Sequence, residues 1–203
     1  MPAEFIPTFE KQFGAKIVEG YGLTEASPCC SFNMFDRPQK PGSIGMAIPG
    51  TKIKIVDEKG SEVPRGEIGE LIVKGDNVMQ GYYKDKAATA AVIKNGWLYT
   101  GDLGRMDGDD YIFLTGLKKR MIITSGFNVY PKEVEDVLYM NPAVQAVRVV
   151  GKKDLMRGEI VKAEIVKNDG SIIDEKEILK YCRIYLSPYK VPREVEFVQN
   201  IDD

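Results

Sequence analysis

The spacing of apolar residues changes character along the chain. Thr51 to Val56 alternates and holds three β-branched apolar residues, the signature of a half-buried strand. Asp57-Glu58-Lys59-Gly60 then offers a turn. Glu70 to Lys74 is a second strand between glycines, Tyr111 to Leu114 a third and Met121 to Thr124 a fourth. The turn-rich tract Arg37 to Ser43 before them reads as a connector. The middle of the chain is therefore predicted to be mostly β.

In the last third the period lengthens. Pro131 suits the first turn of a helix, where its missing N–H needs no partner, and Val134, Val137 and Leu138 mark one helical face. Asn141-Pro142 stops that helix. Ala146 to Val150 and Val161 to Val166 are strand-like, with Asn168-Asp169-Gly170 as a turn. Asp174 and Glu177 have the spacing of a capping box, and Ile178, Leu179, Cys182 and Leu186 continue an apolar helical face. Val195 to Val198 closes as a strand. The order strand–helix–strand–strand–helix–strand predicts a small α+β domain from about Met121 onward. Its boundary falls near the basic triplet Lys118-Lys119-Arg120, which by charge alone suits a solvated turn.

Composition removes several function classes. A hydrophobic fraction of 43% and a charged fraction of 29% over 203 residues describe a globular chain with a real core. Lys+Arg 28 against Asp+Glu 30 leaves a net charge of -2, so no global basic field draws nucleic acid. No apolar run approaches the ~20 residues of a transmembrane helix. The start Met1-Pro2-Ala3-Glu4 lacks the features of a secretory signal, and a cytoplasmic location is the expectation. The three cysteines, Cys29, Cys30 and Cys182, make neither a disulfide framework nor a zinc site. Histidine is absent, which excludes Ser-His-Asp and Cys-His chemistry within this chain.

Three stretches carry candidate chemistry. In Glu19-Gly20-Tyr21-Gly22-Leu23-Thr24-Glu25, glycines around an aromatic let the backbone approach a flat ligand. Tyr21 offers a ring to a base, Thr24 a hydroxyl to a phosphate and Glu25 a carboxylate to Mg²⁺. In Gly96 to Gly104, Asp102 sits in a glycine-flanked turn. It suits either hydrogen bonds from a ribose diol or a turn in which Asp102 caps its own backbone. Ser125 to Glu135 is a glycine turn leading into the Pro131 helix.

Taken together, Tyr21 to Pro28, Lys94 to Asp102, Ser125 to Pro131 and Tyr189-Lys190-Val191-Pro192 closely resemble the adenylate-forming (acyl-CoA synthetase, AMP-binding) superfamily. The nearer likeness is to bacterial and archaeal fatty acyl-CoA ligases, and it runs over essentially the whole chain. The resemblance implies a mixed α/β and α+β fold. A remnant of a large amino-terminal domain (1–36) would precede a small distorted β-barrel lobe (37–117) and a mobile, βαββαβ-like carboxyl-terminal domain (118–203). It implies that a carboxylate and ATP give acyl-adenylate and pyrophosphate, and that CoA then displaces AMP. By the same resemblance, Tyr21 and Gly22 lie against adenine, Thr24 meets the phosphate, Glu25 holds Mg²⁺ and Asp102 binds the ribose. Lys119 matches the hinge, Ser125 and Gly126 the edge of the pantetheine channel, and Ala26, Ser27 and Pro28 the acyl pocket.

Departures from the family are specific. Leu117 stands where an Arg usually meets the ribose, and losing a charge-assisted hydrogen bond costs ~1.5–3 kcal/mol unless Lys118 or Lys119 substitutes. The family's Ser/Thr/Gly-rich phosphate loop lies far upstream, and its catalytic lysine comes shortly after the point this chain reaches at Asp203; Lys190 is not that lysine. The expectation is a fragment that carries no catalytic residue of its own and cannot form acyl-AMP alone. Its partners would be ATP, a carboxylic acid, CoA and the amino-terminal portion of the same protein, with no nucleic acid and no transmembrane segment. Two other readings stand beside it: an adenylation domain that loads a carrier protein, and a non-catalytic nucleotide-binding or interaction module, which Leu117 favours.

Overall fold

A computed structural model describes residues 5–201. The readings at Met1–Glu4 and Asp202-Asp203 lie outside them. The chain forms two compact units, Met1–Thr115 and Gly116–Asp203.

The first unit begins with α1 (Phe5–Phe13). Strands β1 (Gly20–Gly22), β2 (Cys29–Phe32) and β3 (Met46–Ala47) form a three-stranded antiparallel sheet in that order. Then come β4 (Thr51–Val56), β5 (Gly69–Gly75), α2 (Lys86–Val92), β6 (Ile93–Lys94), β7 (Trp97–Met106) and β8 (Ile112–Leu117). They build a five-stranded sheet in the order β4-β5-β7-β6, with β8 on β7. This is the expected barrel-like lobe, curled into a half-barrel.

β5 is flanked by β4 and β7 in that sheet, and Leu71, Ile72 and Val73 are all buried. Leu71 joins Ile55, Met106 and Ile112 in one small core. Val73 joins Leu98, Ala26 and Cys30 in another, against which Tyr21 and Leu23 pack. Burial of Ala26 and Cys30 therefore ties the Leu23–Cys29 turn to the sheet.

The second unit opens with a single exposed 3₁₀ turn, Lys118–Arg120. It continues with β9 (Ile122–Thr124), β10 (Phe127–Val129), α3 (Pro131–Tyr139), β11 (Val144–Asp154), β12 (Gly158–Lys167), α4 (Glu175–Tyr185) and β13 (Glu194–Phe197). The sheet order is β10-β9-β12-β11, with β13 parallel to β12. Pro131 occupies the first turn of α3, and Asp174 and Glu177 form the expected capping box on α4. One core gathers Ile122, Val134, Leu138, Val149, Val161, Ile165, Ile178 and Cys182.

β11 and β12 reach beyond the expected strands, pairing antiparallel from Val144↔Lys167 to Asp154↔Gly158 with one register shift between Val144 and Ala146. Gly151 to Asp154 is polar and mostly exposed, so apolar alternation stops while the backbone ladder continues. β10 was concealed for a similar reason. Phe127 and Asn128 are exposed, and only Val129 faces the core.

Candidate functional site

The Tyr21 motif forms a short strand and a tight turn. Leu23 N–H donates to the Pro28 carbonyl at 2.8 Å, and Thr24–Ala26 is one 3₁₀ turn. A Cβ on Gly22 would lie 1.7 Å from the Pro28 carbonyl oxygen. The backbone that Gly22 admits is thus its own chain's. Thr24 is exposed and Glu25 half-buried. Ala26 is fully buried, so its side chain belongs to the core, whereas Ser27 and Pro28 are exposed.

Asp102 lies within β7 rather than in a connecting turn. Between the pairs Ile72↔Tyr99 and Glu70↔Leu103 the β7 side holds two more residues than β5 does, an irregularity that contains Thr100, Gly101 and Asp102. Gly101 adopts φ 77°, open to glycine at no steric cost. Its N–H donates to Glu70 Oε1 at 3.1 Å, the Thr100 hydroxyl donates to the Leu71 carbonyl at 2.9 Å, and Asp102 N–H donates to Thr100 Oγ1 at 3.1 Å. Thr100 therefore caps this bulge, and the Asp102 carboxylate is left for another partner.

That partner is Tyr21. Its hydroxyl donates to Asp102 Oδ2 at 2.5 Å, joining motifs 81 residues apart. Burial first, and then the hydrogen bond to the negative carboxylate, push the phenol far above its ordinary range. Tyr21 is therefore a protonated donor at neutral pH. The Asp102 oxygen Oδ1 is not used in this bond.

Glu25 is held from the opposite side of the sequence. The Tyr82 hydroxyl donates to Glu25 Oε1 at 2.8 Å, which raises the Tyr82 phenol as well. Among the described residues no cluster of three His, Cys, Asp or Glu side chains could hold a metal. A single carboxylate is nonetheless compatible with Mg²⁺, which commonly binds one or two carboxylates together with substrate phosphates and water.

In the second unit, Ser125 (φ 50°) and Gly126 (φ 83°) turn β9 into β10. Ser125 N–H donates to the Arg157 carbonyl at 2.9 Å, and Arg157 Nη1 donates back to Ser125 Oγ at 3.1 Å. A Cβ on Gly126 would meet nothing within 4 Å. Phe127 stacks on Tyr189 with ring centroids 4.8 Å apart. Ser125, Phe127, Arg157 and Tyr189, with Thr124, Pro188 and Arg193, line a cavity of about 240 Å³. Lys119 is exposed in the 3₁₀ turn, and its neighbour Arg120 pairs with Glu135 at 3.1 Å. Leu117 ends β8, partly exposed.

The model of the AMP-binding enzyme family matches residues 1–83, and that of the AMP-binding enzyme C-terminal domain matches residues 133–203. The chain belongs to the AMP-binding enzymes. It is 48% identical over 187 residues to a long-chain-fatty-acid–CoA ligase of Escherichia coli, a match covering 92% of this chain and 33% of that protein. It is 46% identical over 198 residues to the enzyme of that name in Bacillus subtilis, covering 97% and 35%. The crystal structure of ATP-bound MatB from Rhodopseudomonas palustris superposes with a TM-score of 0.93 at 36% identity, covering 98% of this chain and 40% of that one. The chain thus spans about a third of the length of the curated relatives it matches.

Two residues that hold the Leu23–Cys29 turn of this AMP-binding chain went unread in the sequence. Asn77 and Tyr82 lie between β5 and α2 in a stretch with no apolar period, and their partners in the turn are 48 to 57 residues away. Gly75 beside them was the one available signal, since a Cβ there would come within 2.5 Å of Asn77 Oδ1.

Proposed function

We propose that the protein carrying this chain is an ATP-dependent acyl-CoA ligase acting on fatty acids. A carboxylate oxygen attacks the α-phosphorus of ATP, forming the acyl–adenylate bond as pyrophosphate leaves. The sulfur of CoA then attacks the acyl carbon, forming the thioester as AMP leaves. The observation that carries this reading is the Tyr21–Asp102 hydrogen bond. It brings two motifs of the family together in one unit, beside the turn that bears Thr24 and Glu25.

In this reading the Tyr21 ring lies against adenine at Gly22 while its hydroxyl fixes Asp102, whose free oxygen accepts from the ribose. Thr24 donates to a phosphate. Glu25 would hold Mg²⁺, which when bound neutralises charge on the phosphates. CoA would enter past Ser125 and Gly126, where the open space at Gly126 supports passage of a thin chain. Ser27 and Pro28 would border the acyl group more than the buried Ala26 does. Lys119 would be the pivot between the two half-reactions.

Carboxylate-dependent ATP–pyrophosphate exchange tests the activity in an enzyme of the relatives' full length that carries this chain. Exchange with fatty acids is expected, and its absence with every carboxylate overturns the proposal. Lys119→Pro in that enzyme should slow thioester formation far more than adenylation. Equal loss of both half-reactions would remove the pivot assignment.

A further inference from the structure

We infer that the segment between β5 and α2 supports the Leu23–Cys29 turn, and that Asn77 and Tyr82 are positioning residues for the groups the turn presents. The Asn77 side-chain nitrogen donates to the main-chain carbonyls of Ala26 (3.2 Å) and Cys29 (2.9 Å). Its oxygen accepts from Thr51 Oγ1 at 3.1 Å. The two carbonyls fix which way the amide faces, because they demand the nitrogen end, and the Thr51 hydroxyl then donates to the oxygen that remains. Met79 N–H donates to the Glu25 carbonyl at 2.8 Å, and the Tyr82 hydroxyl donates to Glu25 Oε1 at 2.8 Å.

The turn needs this support. A lone three-residue 3₁₀ turn has poor internal hydrogen bonding. Ser27 adds φ 53°, a left-handed conformation that costs a residue with a Cβ. Such a geometry persists only when its surroundings over-determine it. Asn77 grips the carbonyls on both sides of Ser27-Pro28, and Tyr82 holds one Glu25 oxygen while leaving the other for a ligand. Neither residue touches the nucleotide in this account. They act through Glu25 and through the position of Thr24, so the functional half of the inference rests on the proposed nucleotide site.

The test has two parts. Amide hydrogen exchange on the 203-residue chain reads the support with no ligand present. Asn77→Ala should speed exchange at Ala26 and Ser27 by ~10-fold or more, with under ~2-fold change at Leu71 to Val73. Uniform acceleration, or none at the turn, overturns the inference. Should Asn77→Ala fail to fold, Tyr82→Phe keeps the question open to decision, since it removes only a hydroxyl from a partly exposed ring. In the full-length enzyme Tyr82→Phe should raise the KM for Mg·ATP by ~10-fold with a smaller change in kcat, the scale seen when a ligand's hydrogen-bond partner is removed. In a Glu25→Ala background it should do nothing more. Additive losses would mean that Tyr82 acts independently of Glu25, which contradicts the positioning role. If Tyr82→Phe has no effect where Asp102→Ala does, the role falls and the nucleotide site stands. If Asp102→Ala also has none, both fall.

Discussion

The two units spend their buried residues differently. Among the described residues, Gly116–Asp203 concentrates fourteen buried side chains in one core, and its helices and strands face that core with regular period. Among the described residues of Met1–Thr115, packing is divided between two clusters of four buried residues each. There, much of the chain goes into turns whose geometry is fixed by glycines and polar cross-links: Gly22 against Pro28, Gly101 beside Asp102, Asn77 against Ala26 and Cys29. The second unit is organised by apolar burial, and the first by local backbone geometry around a candidate nucleotide site.

Core truncation should separate the units most strongly. Leu138→Ala empties a fully buried position in the larger core and should cost about 3 kcal/mol by denaturant unfolding. Amides of β5 should keep their exchange rates if the first unit's packing is its own. Slowed or unchanged exchange of α3 amides would contradict the core assignment.

The glycines sharpen the contrast. Gly22→Ala drives a methyl into backbone and should cost ~3 kcal/mol or more while disrupting the β1–β2 turn. Gly126→Ala meets open space and should cost only the ~1–2 kcal/mol of a left-handed alanine. Equal costs would break the distinction. Asp174→Ala removes the α4 cap, with an expected loss of ~1 kcal/mol.

The cysteines give the smallest effect. Burial pushes the Cys30 and Cys182 thiols up to about 11, so both remain protonated at neutral pH. Native-state alkylation near pH 8 should label Cys29, the only one of the three with appreciable exposure, well before them. Rapid labelling of Cys182 would contradict its place in the core.

The same contrast explains what the sequence made legible. Val134, Leu138, Ile178 and Cys182 announce helices because burial selects residues at a helical period. Asp174 and Glu177 announce a cap because that bond is local. The Tyr21, Asp102 and Ser125 stretches were recognisable as family motifs, and Tyr21 and Asp102 do meet. Their geometry was not readable. Asp102 suited a turn, and only the pairing of β5 with β7 makes its surroundings a bulge in a strand. Asn77 and Tyr82 were invisible because their partners depend wholly on tertiary structure.

The Tyr21–Asp102 pair is the centre of this account, and ribose selectivity tests it most directly. In the full-length enzyme, ATP–pyrophosphate exchange should be compared between ATP and 2′,3′-dideoxy-ATP, with and without Asp102→Ala. The substitution should lower kcat/KM for ATP by about 10- to 150-fold, the worth of one charge-assisted hydrogen bond. The preference for the ribose diol should collapse with it. A variant that keeps both its ATP activity and that preference would contradict the assignment of Asp102 to the nucleotide.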